Sequence, residues 1–315
     1  MELGQLLNRL RVLANYYLIN GIEDIYTNSK IYEVFIAEQF GHEIINGHAN
    51  TPDARDENGE YYEYKHYKLS SSNHTWTFND FTNRTIEKLY YVKEVYFTVI
   101  NDEYTIPNIE KIYVVSGEEV ARYLEEKTKH IYNLRKMINI SPMQIMNNMS
   151  YYILETNKTV CSRKLKEIFL TVSRIEEITG VDGILTSNKL WELLVAYKLN
   201  QNVNSEQKKH DAYDKLGRTY EYKVSSTPMW TFQDITRNVL DRYLDDEEIV
   251  LAVVDKKRFL VKKVYFCNPS TIVSILQYKL QCRMNSNKTI RRLSSSIGMQ
   301  DVRRMMSVGD AKCVL

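Results

Sequence analysis

Three residues with the chemistry of a metal-assisted hydrolase occur twice in the chain at one spacing. Asp53 is followed after nine residues by Glu63 and then Lys65, and Asp211 is followed after nine residues by Glu221 and then Lys223. Carboxylates are hard oxygen donors, and a cluster of them suits Mg²⁺, which retains several waters and bridges to phosphate. Such an ion lowers the pKa of its water and polarises a phosphoryl oxygen. A fixed ammonium, Lys65 or Lys223, could orient the attacking hydroxide and neutralise charge developing on the phosphate. Whether that lysine also acts as a base is open. The chemistry such a set could perform is phosphodiester hydrolysis. Upstream in each case a helix adds a further acid, Glu33 or its counterpart Glu192.

The local sequence dictates how these residues would meet. EYYEYKHYKL and RTYEYKV alternate with the period of a strand. Glu63 and Lys65, two apart, therefore project from one face while Tyr64 projects from the other. Asn58-Gly59 is a strong hairpin signal, and a turn there would set Asp53 roughly opposite Glu63 on the neighbouring strand. Leu216-Gly217 would do the same for Asp211 and Glu221. Asp56 and Asp214 recur within these turns and read first as turn-forming hydrogen-bond acceptors, with a metal role second. The helix before the hairpin is SKIYEVFIAEQF, with Ile31, Val34 and Phe35 at helical spacing. VKEVYFTVI and EIVLAVV, further on, read as buried strands.

These parallels extend along most of the chain. GIEDIYTNSKIYEVFIAEQF from Gly21 answers to GVDGILTSNKLWELLVAYKL from Gly180, and WTFNDFTNRTIEKL from Trp76 to WTFQDITRNVLDRY from Trp230. LRKMINISPMQIMNNM from Leu134 loosely matches IRRLSSSIGMQDVRRMM from Ile290. A repeat of this kind implies two copies of one domain. The expected division is 1–150 and 151–315, with an apolar helical stretch from Tyr151 as connector. The fold class expected is α/β: two tandem domains, each a mixed β-sheet flanked by helices. Each copy ends in a helical segment of helix-turn-helix-like outline, with a turn at Asn139-Ile140, Ser141 as N-cap and Pro142 at the first helical position. Gly298 marks the corresponding turn of the second copy. A plain helical hairpin is the alternative, with Met143, Met146 and Met149 as core. The Trp-Thr-Phe motifs read as packing for the helix that follows. The polar loops before them, LSSSNHT and VSSTPM, read either as DNA-approaching or as ordinary surface.

Composition sets the outer limits. The 315 residues suit two domains of about 150 each. With 43% hydrophobic and 26% charged residues the chain reads as globular rather than disordered. No apolar run reaches the roughly 20 residues of a membrane helix, and the N-terminus lacks the layout of a signal peptide, so an intracellular, cytoplasmic protein with no membrane partner is expected. Cys161, Cys267, Cys282 and Cys313 have no CxxC spacing and read as free thiols. A net charge of +2 does not announce a nucleic-acid partner. Locally, Arg283, Lys288, Arg291, Arg292, Arg303 and Arg304 face one acid, Asp301, and this end reads as a phosphate-contacting or a merely solvated face.

At Pro52-Asp53 and Glu63-Tyr64-Lys65, and again at Asp211 and Glu221-Tyr222-Lys223, the chain resembles the PD-(D/E)XK nuclease superfamily. His210 stands where that pattern often has proline. The resemblance implies that Asp53, Glu63, Asp211 and Glu221 bind metal, that Lys65 and Lys223 assist attack, and that Glu33 and Glu192 are the helical acid some members add. It further implies a restriction-endonuclease-like fold with a sheet of four or five strands, and Mg²⁺ as cofactor with Mn²⁺ as substitute. The expected function is a DNA endonuclease of the type II site-specific (restriction) class, acting on double-stranded DNA as a monomer with one active site per strand. Two rivals stand beside it: a structure-specific nuclease resembling a junction resolvase, and a DNA-binding regulator that does not cut.

Overall fold

A computed structural model describes residues 2–47, 50–132, 136–155, 159–186, 188–205, 210–284 and 293–315, apart from the side chains of Asp80, Arg283 and Met284. Lys288, Arg291 and Arg292 of the expected basic end lie outside the described residues. The first copy runs α1 (Glu2–Ile19), α2 (Lys30–Phe40), β1 (Glu43–Ile44), β2 (Ala54–Arg55), β3 (Tyr61–Lys68), β4 (Trp76–Phe81), α3 (Asn83–Leu89), β5 (Glu94–Asn101), β6 (Asn108–Ser116), α4 (Gly117–Thr128), β7 (Lys136–Ile140), α5 (Pro142–Asn148) and β8 (Tyr151–Leu154). The second repeats that order as α6 (Arg163–Thr179), α7 (Lys189–Leu199), β9 (Asn202–Val203), β10 (Ala212–Tyr213), β11 (Thr219–Ser225), β12 (Met229–Phe232), α8 (Arg237–Tyr243), β13 (Glu248–Asp255), β14 (Leu260–Cys267), α9 (Pro269–Met284), β15 (Ser295–Gly298), α10 (Met299–Ser307) and β16 (Ala311–Cys313).

Each copy builds a six-stranded mixed sheet, in the order β1-β2-β3-β5-β6-β8 and, correspondingly, β9-β10-β11-β13-β14-β16. The strand bearing Glu-X-Lys lies centrally, antiparallel to the hairpin strand before it and parallel to β5 or β13. The α/β class and the two tandem mixed sheets are as the repeat implies. Each sheet has six strands rather than four or five because short edge strands extend it on both sides.

Compact packing divides the chain into Tyr16–Ser173 and, as the other unit, Met1–Asn15 with Arg174–Leu315. The division expected at Ser150 thus differs from the one seen. Tyr151–Leu154 is no helical connector: it pairs antiparallel with β6 and closes the first sheet. Its Tyr-Tyr-Ile-Leu sequence carries the aromatic and β-branched side chains that fit a pleated surface.

Both cores pack aromatic rings among aliphatic side chains. In the first unit Trp76, Phe81, Phe97 and Leu124 are at most 1% exposed, and in the second Trp230, Phe232, Leu251 and Leu276 are too. A fully buried side chain of this kind stabilises by roughly 1.5–3 kcal/mol. The Trp-Thr-Phe motifs do the packing expected of them. The Trp76 indole N–H donates to the Thr98 carbonyl at 2.9 Å and that of Trp230 to Ala252 at 2.8 Å, so neither buried donor is orphaned.

The helix-turn-helix outline does not hold. Lys136–Ile140 pairs antiparallel with β4, and Ser295–Gly298 with β12, so a strand precedes each terminal helix. Ser141 does cap α5: its hydroxyl accepts from the Gln144 backbone N–H at 3.3 Å while Gln144 Oε1 accepts from the Ser141 N–H at 2.8 Å. Only Ile145 of this short helix faces inward. Met143 and Met146 are 59% and 40% exposed, against the expectation of a core role, while Met149 is buried.

Candidate functional site

The turn before the Glu-X-Lys strand forms as its residues dictate. Gly59 and Gly217 take φ of +83° and +77°, in the left-handed region open to glycine. The Asp56 carboxylate accepts from the N–H groups of Asn58 and Glu60 at 2.9 Å each. Asp214 does the same for Leu216 and Arg218, at 2.9 and 3.0 Å. This is the turn-forming role, and it fixes register. Ala54 faces Tyr62 and Ala212 faces Tyr220, so one further step along each ladder sets Asp53 against Glu63 and Asp211 against Glu221.

The same oxygen of each aspartate is then pinned to the partner strand. Asp53 Oδ2 accepts from the Tyr64 N–H at 2.8 Å, and Asp211 Oδ2 from the Tyr222 N–H at 2.7 Å. Lys65 Nζ reaches Glu63 Oε1 at 2.7 Å, and Lys223 pairs with Glu221 in the same way. Behind each ammonium lies an aromatic face, Phe78 at 5.1 Å from Lys65 and Phe232 at 5.5 Å from Lys223. Both rings belong to the Trp-Thr-Phe motifs and favour the charged amine.

Electrostatics show that the acids crowd one another. Burial, reinforced by the charges of Glu63 and Glu33, pushes the Asp53 carboxyl up to about 7. Asp211 is pushed up to about 6 by burial and by Glu221, and Glu192 to about 8 by burial and by Asp211. Glu33 and Glu192 thus lie within electrostatic reach of the strand acids. Burial alone would raise Glu63, but Lys65 and Lys88 hold it below the ordinary carboxylate range. Burial likewise opposes the charge on Lys65 and Lys223, and the facing carboxylates outweigh it and keep both protonated.

The structure adds residues that motif reasoning passed over. Lys88 of α3 is 8% exposed and donates to Glu63 Oε2 at 2.6 Å and to the Thr51 carbonyl at 3.2 Å. Arg242 of α8 occupies the matching place and lines the second cleft with Glu192, Glu221, Lys223 and Gln233. The signal was present, since both Trp-Thr-Phe blocks carry a basic residue twelve positions after the tryptophan. Lys30 of α2 pairs with Glu33 at 2.8 Å. In the second unit His210, which stands in the place of Pro52, puts Nδ1 2.7 Å from the buried carboxylate of Asp246.

Among the described residues no three His, Cys, Asp or Glu side chains stand together as a preformed metal cage. The donor chemistry nevertheless fits a hard divalent cation. In each unit carboxylates face one another across a hairpin at the cost of raised pKa values, which a bound cation would relieve. Mg²⁺ in particular needs only one or two protein carboxylates, with waters completing its shell.

Elsewhere the expected features are quieter. Ser70 and Ser71 bond to Asp102 and to backbone carbonyls of their own loop, and His74 to the Leu69 carbonyl, so much of that polar loop is engaged in holding itself. Arg303 and Arg304 are exposed on α10, while Asp301 is taken by Lys279 at 2.6 Å. All four cysteines are free thiols. Among the described residues no helix is long and apolar enough to cross a membrane. No family model matches the chain, and no curated protein is significantly similar to it.

Proposed function

We propose that this chain is a Mg²⁺-dependent DNA endonuclease with two active sites, one in each unit. The observation that carries the reading is the pair of matched constellations. Asp53, Glu63 and Lys65 share one geometry with Asp211, Glu221 and Lys223, down to which oxygen of each aspartate accepts the same backbone N–H. Two copies that differ over much of their length keep these groups in register, and the resemblance to PD-(D/E)XK nucleases rests on the same residues.

In this reading Asp53 and Glu63 hold the ion in the first site with Glu33 beside them, and Asp211 and Glu221 hold it in the second with Glu192 beside them. When bound, Mg²⁺ supplies an acidified water and polarises the scissile phosphate. The chain's own residues do the rest. The hairpin and central strand present both acids from one face, and their rigid ladder limits misalignment. Lys65 and Lys223 are kept protonated by the acids and are held against Phe78 and Phe232, which leaves a fixed cation available to charge building on phosphate oxygens. Two sites in one chain serve two strands, so the enzyme acts as a monomer, and because the copies differ its recognition sequence need not be symmetric. Site-specific cleavage of the type II restriction class is the activity that the resemblance implies for such a pair of sites.

Supercoiled plasmid incubated with the protein and Mg²⁺ tests the reading. Linear product at discrete positions, lost in chelator, is expected. Intact supercoiled DNA under both conditions would leave the non-cleaving regulator as the better account, and cleavage confined to branched substrates would favour the resolvase-like one.

A further inference from the structure

The two constellations match in their backbone geometry but not in what occupies their carboxylates. In the first unit Lys30 pairs with Glu33 at 2.8 Å, and Glu63 is held on both oxygens, by Lys65 at 2.7 Å and by Lys88 at 2.6 Å. Each acid of that site therefore already has an N–H partner on at least one oxygen. The Lys88 and Glu63 side chains are only 6% and 5% exposed, so water screens this contact little.

The second unit departs from this at two points. Lys189 is the counterpart of Lys30, yet its ammonium turns to the Asp182 carbonyl at 2.7 Å. No hydrogen bond or ion pair among the described residues reaches the Glu192 carboxylate, which borders a cleft of about 380 Å³ together with Glu221 and Lys223. Glu221 is held by Lys223 on one oxygen, and among the described residues no hydrogen bond reaches the other.

We infer that the two sites load unequally: the site of Glu192, Asp211 and Glu221 takes a divalent cation first, and the site of Glu33, Asp53 and Glu63 is held back by Lys30 and Lys88. This rests on the metal-binding reading above and adds an order to it. A cation entering the first site must displace ammonium groups from the oxygens it needs, whereas one entering the second meets, in Glu192, a carboxylate with no partner among the described residues to give up. Phosphate of a bound substrate is an anion that could draw Lys88 away, so the first site would load only once DNA is in place. The strand served by the second site is then cut first.

Mn²⁺ titration of the full chain without DNA, read by electron paramagnetic resonance of the free ion, tests this without reference to activity. Two classes of bound Mn²⁺ are expected, separated by at least about tenfold in Kd, since the weaker class gives up two ion pairs. Glu192→Gln should weaken the tighter class and leave the weaker untouched. Lys30→Gln, and Lys88→Met if it folds, should tighten the weaker class alone. Two classes of equal affinity, loss of the tighter class in Asp53→Asn, or no response to Lys30→Gln would overturn the inference while leaving the metal sites standing. Absence of any saturable Mn²⁺ binding would overturn the metal-binding reading itself, and this inference with it.

Discussion

Replacing Lys88 by methionine should destabilise the protein strongly in chelator and much less in Mg²⁺. The Lys88 ammonium is the closest partner of Glu63 Oε2, at 2.6 Å, and both side chains are nearly inaccessible. Removing one member of a buried pair costs about 3–5 kcal/mol, because the remaining charge is left in a poorly solvated place. Lys65 stays on the other oxygen and methionine fills most of the space, so the lower end, about 3 kcal/mol, is the appropriate figure. For a folding unit of this size that corresponds to a fall in Tm of roughly 6–12 °C. If the acids of this site bind Mg²⁺, the ion replaces the missing positive charge, and at a hundredfold excess over its Kd it returns about 2.7 kcal/mol. Thermal melts of the full chain in chelator and in Mg²⁺, with Lys88→Arg as a charge-retaining control, give all the required numbers. A loss below about 1 kcal/mol in chelator would mean that Lys88 is an ordinary surface-type pair. A loss that Mg²⁺ does not reduce would mean that no ion reaches Glu63.

Further outcomes follow from the same geometry. Lys65→Met and Lys223→Met should each lower cleavage of one strand by about 10²–10³-fold and yield nicked plasmid, with the double variant nearly inactive; two single variants that still linearise plasmid at the normal rate would contradict the division of labour. With Asp53, Asp211 and Glu192 pushed up to about 7, 6 and 8, Mg²⁺ must displace protons, so its affinity should rise from pH 6 to 8. Calorimetry in buffers of different ionisation enthalpy measures that proton release. The sign for folding is opposite: these carboxyls hold protons in the folded state that the unfolded chain releases, so metal-free stability should fall as pH rises from about 4 and level off above about 8, as pH-dependent urea midpoints would reveal. Trp76→Phe should cost about 1–3 kcal/mol by removing the buried indole hydrogen bond to the Thr98 carbonyl, measured by denaturant unfolding.

The candidate site was legible in the sequence because its parts are local. A hairpin at Asn58-Gly59 and a strand of period two fix the face and opposition of Asp53 and Glu63 with no knowledge of the rest of the fold. The repeat fixed the same relation for Asp211 and Glu221. What escaped was set by distant partners. Lys136–Ile140 became a strand because β4, far back in the chain, offered it an edge, and nothing within its own residues announces that pairing. Tyr151–Leu154 was likewise claimed by β6. Lys88 and Lys30 carry the look of solvated helix charges, and only the fold turns them towards Glu63 and Glu33. Nor could the sequence distinguish Lys30 from Lys189, identical residues at matching positions whose ammonium groups find different acceptors.

Each unit is expected to hold a divalent ion between facing carboxylates. Crystals soaked in Mn²⁺ and measured at the manganese absorption edge test it most directly. Anomalous peaks bounded by Asp53 and Glu63 and by Asp211 and Glu221, with the lysine contacts of the first site loosened, are the predicted result. Peaks elsewhere, or none while Lys88 and Lys65 still grip Glu63, would contradict it.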